Sequence, residues 1–420
     1  MDDALAFVPL DAQSGALSTW LIEAGLRGET LTHLLETYCE KLVAHGVPLL
    51  RMHVTMTAVH PNYEGLGFNW FAEGGAKQQE FAHTDEAPEN WRQSPFHYML
   101  SNNLRSYREP LVKGRDSRFP LLNEMREVGA TDYLCQAVLF QHWEDGRPIT
   151  ENDFLDGAMV SWMVDGEGGF RERDLALIQS TFPTLCLALK SSSQHKMAQD
   201  LLGVYLGKDA GRRVLKGEIE RGSTQWIDAV ICYFDFEGFT AHSQAVEGEA
   251  LIAMLNAYFD PVVTAIEAEG GNVLKFMGDG LLAIFDRSAF PDAPNRGVRA
   301  LARIEEDLAC LSAQRAGDGH PVFGYTAALH IGRVLYGNIG ASERLDFTVI
   351  GPDVNLAARI AGMHTSLGQS VILSGELAQH VTEPSFEPIS LGRYMLRGVA
   401  KPQELFTLYR ADLGSGDAEK

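Results

Sequence analysis

Apolar residues along the chain follow two rhythms, and where one gives way to the other the elements can be read. In "ETLTHLLETYCEKLVAHG", residues 29–46, apolar side chains recur at Leu31, Leu34, Leu35, Tyr38, Cys39, Leu42 and Val43. That spacing predicts one helical face, closed by Gly46 and Pro48. The next stretch, "LLRMHVTMTAV", alternates apolar Leu50, Met52, Val54, Met56 and Ala58 with polar Arg51, His53, Thr55 and Thr57, the pattern of a half-buried strand. Strand-like runs follow at "YLCQAVLFQHW" and "GAMVSWMV", after a stretch with helical pieces over 90–128. "FRERDLALIQSTFPTLCLALK" then predicts a helix with Leu175, Ile178, Phe182, Leu185 and Leu189 inward and a kink at Pro183.

Beyond residue 223 the order is strand ("WIDAVICYFDF"), helix ("EGEALIAMLNAYFDPVVTAIEAEGG"), hairpin ("VLKFMGDGLLAIF"), helix ("GVRALARIEEDLACLSAQR") and strand ("PVFGYTAALHIGRVLYGNIG"). Such an order predicts an α+β domain with a mostly antiparallel sheet. The organisation expected is a first domain over 1–190, a helical connector over 191–223, a second domain over 224–410 and a polar tail over 411–420. Leu201, Leu202, Tyr205 and Leu206 make a short apolar patch in the connector, readable as a dimer-contact helix coupling the domains or as a solvated linker.

Composition narrows the function. A chain of 420 residues that is 45% hydrophobic and 22% charged is globular. Its formal charge of −21 argues against nucleic acid as the partner. Five dispersed cysteines without a CxxC pair fit a reducing compartment. Neither a signal peptide nor a membrane span is visible, and the expectation is a cytoplasmic protein. "GKDAGRR" near residue 207 lacks the spacing and hydroxyl of a phosphate-binding P-loop.

Candidate chemistry lies in the second domain. Asp235 and Asp279 each end an apolar strand, and on neighbouring strands their carboxylates can converge. Two hard oxygen ligands and a phosphate suit Mg²⁺. Taken singly, Asp279 could merely serve its Gly-Asp-Gly turn and Asp235 could cap a helix. In "TVIGPDVNLAARIAGMH", Asn355 and Arg359 are four apart, on one helical face, where an amide and a guanidinium suit a sugar oxygen and a phosphate gaining charge, although in isolation they could equally be an ordinary helix-surface pair.

Five stretches in order, "YFDFEGFT" (233–240), "LKFMGDGLLAIF" (274–285), "ALHIGRVLYGNIG" (328–340), "DFTVIGPDVNLAARI" (346–360) and "YMLRGVAKPQELFTLY" (394–409), resemble the class III adenylyl/guanylyl cyclase catalytic domain. The resemblance implies a ferredoxin-like α/β sandwich that binds two Mg²⁺ or Mn²⁺ ions per site through Asp235, Asp279 and the backbone carbonyl of Phe236. It also implies that Lys275 and Thr348 read the purine, a pair that favours ATP over GTP. Asn355 would orient the ribose, Arg359 would contact the phosphate, and Arg397, or Lys401 nearby, would bind phosphate. The expected activity is an adenylate cyclase that turns ATP into cyclic AMP and pyrophosphate, at sites shared across a homodimer. Phe236 stands where Ile or Leu is frequent, Thr348 where one large subgroup has Asp, and Arg397 where lysine is usual. The alternative is a catalytically silent nucleotide-binding or dimerisation module. The first domain resembles a GAF-type sensor, which implies regulation by a small molecule or another signal that the sequence does not name. His53 reads as a satisfied or exposed histidine. The "NWF" cluster at 69–71, Trp91 and Trp143 read as core rather than pocket, and Cys39 and Cys186 as buried small hydrophobes.

Overall fold

A computed structural model describes residues 12–58, 60–83, 88–140, 156–218, 220, 222–239 and 248–410. Trp143 and the 411–420 tail lie outside them. The chain divides into two compact units between Leu201 and Leu202.

The first unit is built on a six-stranded, wholly antiparallel sheet. Its strands are β1 (Leu49–Thr57), β2 (Gly65–Phe71), β3 (Gly75–Phe81), β4 (Ser106–Pro110), β5 (Asp132–Leu139) and β6 (Gly157–Val164), in the order β3-β2-β1-β6-β5-β4. On one face lie α1 (Ala12–Arg27), α2 (Leu31–Ala44) and the start of α6 (Glu172–Leu206), packing Leu21, Leu34, Tyr38 and Leu185 against Met52, Val54 and Trp162. α2 starts where Thr30 accepts the His33 N–H and buries the predicted stripe Leu31, Leu34, Leu35, Tyr38, Cys39 and Leu42. Cys39 and Cys186 are buried, as expected.

The short helices α3 (Glu89–Arg92), α4 (Pro95–Ser101) and α5 (Pro120–Glu127) come from the stretch read as helical pieces, and Phe96, Met99 and Leu122 form a second cluster with Tyr133, Cys135 and Met163. The sheet is therefore covered on both faces, which corrects the half-buried reading of β1. Arg51 is buried and His53 stacks on Phe96 at 5.8 Å, although its Nδ1 has no hydrogen-bond partner. Alternation of polar and apolar residues marks the strand but not whether its polar side reaches water. Strands β2, β3 and β4 and helix α1 are additional to the predicted elements, β4 lying inside the stretch read as helical pieces. "NWF" belongs to β2, where Trp70 is buried, and Trp91 packs at the edge of the second cluster. This mixed unit with an antiparallel sheet is compatible with a GAF-like sensor.

α6 runs unbroken through Pro183 and position 190 to Leu206, and α7 (Lys208–Leu215) follows. Most of the segment expected to be a connector is therefore helix.

The second unit has strands β7 (Thr224–Glu237), β8 (Asn272–Met277), β9 (Gly280–Asp286), β10 (Gly324–Ala341), β11 (Arg344–Ile350), β12 (Val371–Ser374), β13 (Phe386–Tyr394) and β14 (Gln403–Arg410). They run in the order β13-β14-β12-β10-β7-β9-β8, with β11 folded back on β10 and only β10–β12 parallel. Helices α8 (Gly248–Ala268) and α9 (Ala293–Gly317) cover one face, packing Tyr258, Val262, Ile304 and Leu308 on Val230, Cys232 and Phe234. The residues between those on β7, Ala229 and Ile231, face the other way, toward α10 (Pro352–Ala361) and α7 through Val354, Ala357 and Ala210. Short helices α11 (His364–Leu367) and α12 (Gly375–Ala378) complete the unit. α8 is long and apolar enough to cross a membrane by length and composition, against the expectation of no such run. Here it packs Met254, Tyr258, Val262, Ala265 and Ile266 into the core.

Candidate active site

β7 and β9 are neighbours, and their register places Asp235 opposite Gly280. Asp279 sits in the turn just before, and its carbonyl accepts the Phe236 N–H at 3.1 Å. Gly280 is needed there for space. A β-carbon at that position would lie 2.5 Å from Asp235 Oδ1 and 2.6 Å from the Phe234 carbonyl. The two carboxylates share one end of the sheet, as expected. Desolvation, and then the Asp279 charge, push the Asp235 carboxyl up to about 6. The group is nevertheless exposed at the surface, so water weakens this effect.

Among the described residues no cation pairs with either carboxylate, and no group of three or more His, Cys, Asp and Glu could hold a metal. Two uncompensated carboxylates, one raised by the other, fit a divalent cation completed by backbone and phosphate oxygens. The Phe236 side chain is buried against Tyr258 and Phe259, so only its backbone could join such a set.

Lys275 is exposed on the edge strand β8, two strands from β7. The pairings Lys275–Leu282–Tyr233 and Met277–Gly280–Asp235 put it two residue pairs away from the aspartate row. At about 4.8 Å per strand and 3.3 Å per residue, that is roughly 12 Å between backbones.

Thr348 pairs with Gly337, which pairs with Thr224 at the far end of β7 from Asp235. The β10–β11 hairpin nevertheless folds back to meet β8, and Asn272 Nδ2 donates to the Tyr336 hydroxyl at 3.1 Å. The two predicted base-reading residues therefore belong to adjoining strands. Thr348 is buried and its hydroxyl has no partner, an arrangement that costs stability until a donor or acceptor arrives.

Asn355 and Arg359 share the exposed face of α10, opposite the buried stripe Val354, Ala357 and Ile360. Arg397 and Lys401 are exposed between β13 and β14. Among the described residues, the side chains of Lys275, Asn355, Arg359 and Arg397 make no hydrogen bond or ion pair. One chain thus brings the two aspartates together, sets Lys275 and Thr348 on adjoining strands, and turns the Asn355/Arg359 pair away from its own sheet.

Two residues beside this site escaped the sequence reading. Asp353, in the first turn of α10, accepts the Arg333 N–H at 2.7 Å, and His330 lies buried next to it. The signal available was a lone histidine in an apolar strand, which core packing explains equally well.

The model of the adenylate and guanylate cyclase catalytic domain matches residues 223–410. Adenylate cyclase 1 of Rhizobium meliloti is 30% identical over 203 residues, covering 47% of this chain and 30% of that protein. The adenylate cyclase of Anabaena cylindrica is 29% identical over 169 residues, covering 40% and 33%. The chain thus spans about a third of the length of these curated relatives. Among solved structures, the adenylyl cyclase CyaB from P. aeruginosa is 25% identical with a TM-score of 0.41, over 46% of this chain and 99% of that one. The guanylyl cyclase Cya2 is 26% identical with a TM-score of 0.38, over 44% and 92%. Residues 223–410 thus match the catalytic domain of the adenylate and guanylate cyclase family, and the paired aspartates and the Asn355/Arg359 helix lie within the matched segment.

Proposed function

We propose that the chain is an adenylate cyclase that converts ATP to 3′,5′-cyclic AMP and pyrophosphate. The observation that carries this is the meeting of Asp235 and Asp279 with no cation to neutralise them among the described residues. Divalent ions held by Asp235, Asp279 and the Phe236 carbonyl would neutralise the phosphates and acidify the ribose 3′-hydroxyl. In the reaction the 3′-oxygen bonds to the α-phosphorus, the bond to the β-phosphate bridging oxygen breaks, and pyrophosphate leaves. Lys275 donates to adenine N1 and the Thr348 hydroxyl accepts from the 6-amino group. Asn355 holds the ribose, Arg359 meets charge on the transferring phosphate, and Arg397 or Lys401 holds the outer phosphates.

The site is shared between two copies of the chain, one giving the aspartates and the other Asn355 and Arg359. The outward-facing amide and guanidinium support this, as do Phe276 and Met277, apolar and exposed beside the metal hairpin. The first unit regulates this activity in response to a ligand or other signal, with α6 leading from it into the catalytic unit, in a cytoplasmic protein without a nucleic-acid partner.

The test is incubation of the purified chain with ATP and Mg²⁺ or Mn²⁺. Cyclic AMP is expected. Nucleotide binding without turnover would leave the silent-module reading. Mixing Asp235→Ala and Arg359→Ala chains should restore about a quarter of the activity, since half the dimers are mixed and each has one intact site. A mixture no better than either parent removes the shared site.

A further inference from the structure

The strand β10 has a gap along one edge. β12 pairs with it only as far as Leu329, and β11 only from Leu335. Residues 330–334 therefore lack a strand partner on that side, and the first turn of α10 fills the space. Asp353 Oδ2 accepts the Arg333 N–H at 2.7 Å. The Asp353 side chain lies flat on the strand because residue 332 is glycine. A β-carbon there would come within 2.4 Å of the Asp353 β-carbon and 2.5 Å of its carboxylate.

Behind Asp353 is His330, 2% exposed. Its Nδ1 is 2.8 Å from the Ser374 hydroxyl, and its Nε2 is 3.7 Å from Asp353 Oδ1 with no hydrogen-bond partner. Ser374 caps α12 by accepting the Leu377 N–H at 3.2 Å. The Ser374 oxygen is thus engaged as an acceptor, and its own proton is free to go to His330 Nδ1. The imidazole proton then sits on Nε2 and faces the carboxylate. In the other tautomer a nitrogen lone pair would face that negative charge. Burial pushes the His330 ring below the usual histidine range, against the pull of Asp353 and Glu376, so the neutral form prevails.

We propose that His330 and Asp353 are a positioning pair that seats the first turn of α10 on β10 and so fixes where Asn355 and Arg359 point. This rests on the catalytic reading of Asn355 and Arg359 given above. Asp353 is two residues before Asn355 and six before Arg359, on a helix of ten residues. Releasing that turn would let both side chains drift from the reacting phosphate, where an error of about 1 Å is costly. Neither His330 nor Asp353 touches substrate. The chain of contacts from Leu377 through Ser374, His330 and Asp353 to Arg333 ties α12, β10 and α10 together.

The test uses the full-length chain. Nitrogen NMR of ¹⁵N-histidine-labelled protein, assigned with His330→Gln, should show His330 neutral and protonated on Nε2. Asp353→Ala should expose the Arg333 amide to hydrogen exchange. It should lower kcat about tenfold while KM for ATP stays within about twofold, the signature of lost transition-state alignment. Asp353→Asn, which keeps an oxygen for Arg333, should protect that amide and lose less of kcat. An Nδ1-protonated ring overturns the proposal, as does a folded Asp353→Ala chain with parental kcat and parental exchange at Arg333. If the parent chain makes no cyclic nucleotide, the catalytic reading fails by itself, and tautomer and exchange still decide whether the pair holds the helix.

Discussion

The two sheets of this protein are both largely antiparallel, yet they treat charged side chains differently. The first unit seals its sheet on both faces and pairs its buried charged groups inside, although His53 Nδ1, Gln136 Oε1, Trp162 Nε1 and Ser192 Oγ have no hydrogen-bond partner among the described residues. Arg51 donates to Asn69 at 2.6 Å, Arg108 pairs with the buried Asp132, and Tyr38 bonds Thr181 at 3.0 Å. The second unit uses one face of its sheet for α8 and α9 and leaves polar groups on the other face and its edges unpaired. Among the described residues, Asp235 and Asp279 have no cation and Thr348 has no hydrogen-bond partner, while Lys275, Asn355 and Arg359 face solvent. Groups that complete one another stabilise a fold, whereas groups left incomplete await something from outside it. Unpaired polarity at the end of a well-packed strand is therefore the better guide to chemistry here than burial or cavity size.

The comparison can be broken most forcefully at Asp279. Asp279→Ala should reduce cyclase activity at least about a thousandfold, which is about 4 kcal/mol of transition-state stabilisation. Its melting temperature should match that of the parent. A parallel loss of stability would mean that the turn serves the fold. Trp162→Ala is the counterpart in the first unit. Trp162 is fully buried and meets Phe182 edge-on at 5.9 Å, so its removal should cost about 3–5 kcal/mol in chemical denaturation. Lys275→Ala should come next, with kcat/KM for ATP down about ten- to a hundredfold from the loss of one charged hydrogen bond to the base. Discrimination between ATP and GTP should fall with it, as a competition assay would record.

The smallest effect concerns the proton on Asp235. Its folded-state value is raised to about 6, so the stability it contributes is complete below about pH 4 and is lost as pH rises through 6. After allowance for solvent screening, Asp235→Asn should stabilise the metal-free chain by about 1 kcal/mol at pH 7.5 and by almost nothing at pH 4. Added Mg²⁺ should then raise the melting temperature of the parent and not of the variant. A variant equally sensitive to Mg²⁺ would move the metal elsewhere.

The second unit was more legible in the order of residues along the chain than the first. Run β7, hairpin β8–β9, helix α10 and the face shared by Asn355 and Arg359 followed from periodicity and from Gly-Asp-Gly, because local rules act within a few residues. Strands β2 and β3 were not legible, since "GLGFNWF" and "GAKQQEF" show no clean alternation, although Gly74-Gly75 marks the turn between them. The covering of β1 on both sides was equally hidden, because it depends on helices about forty to seventy residues downstream.

The chain's residues alone determined which side chains could do chemistry: two carboxylates at strand ends, a lysine in an apolar hairpin, and an amide and a guanidinium one helical turn apart. Residue identity and local spacing suffice for that. Tertiary structure decided which of them meet. Strand pairing over forty-five residues laid Asp235 against Gly280 and beside Asp279. A gap in the β10 ladder, visible only once β11 and β12 have taken their places, brought His330 and Asp353 under the helix that carries Asn355 and Arg359. Contacts of that kind are set by register and packing between distant segments, and no short window of sequence contains both partners.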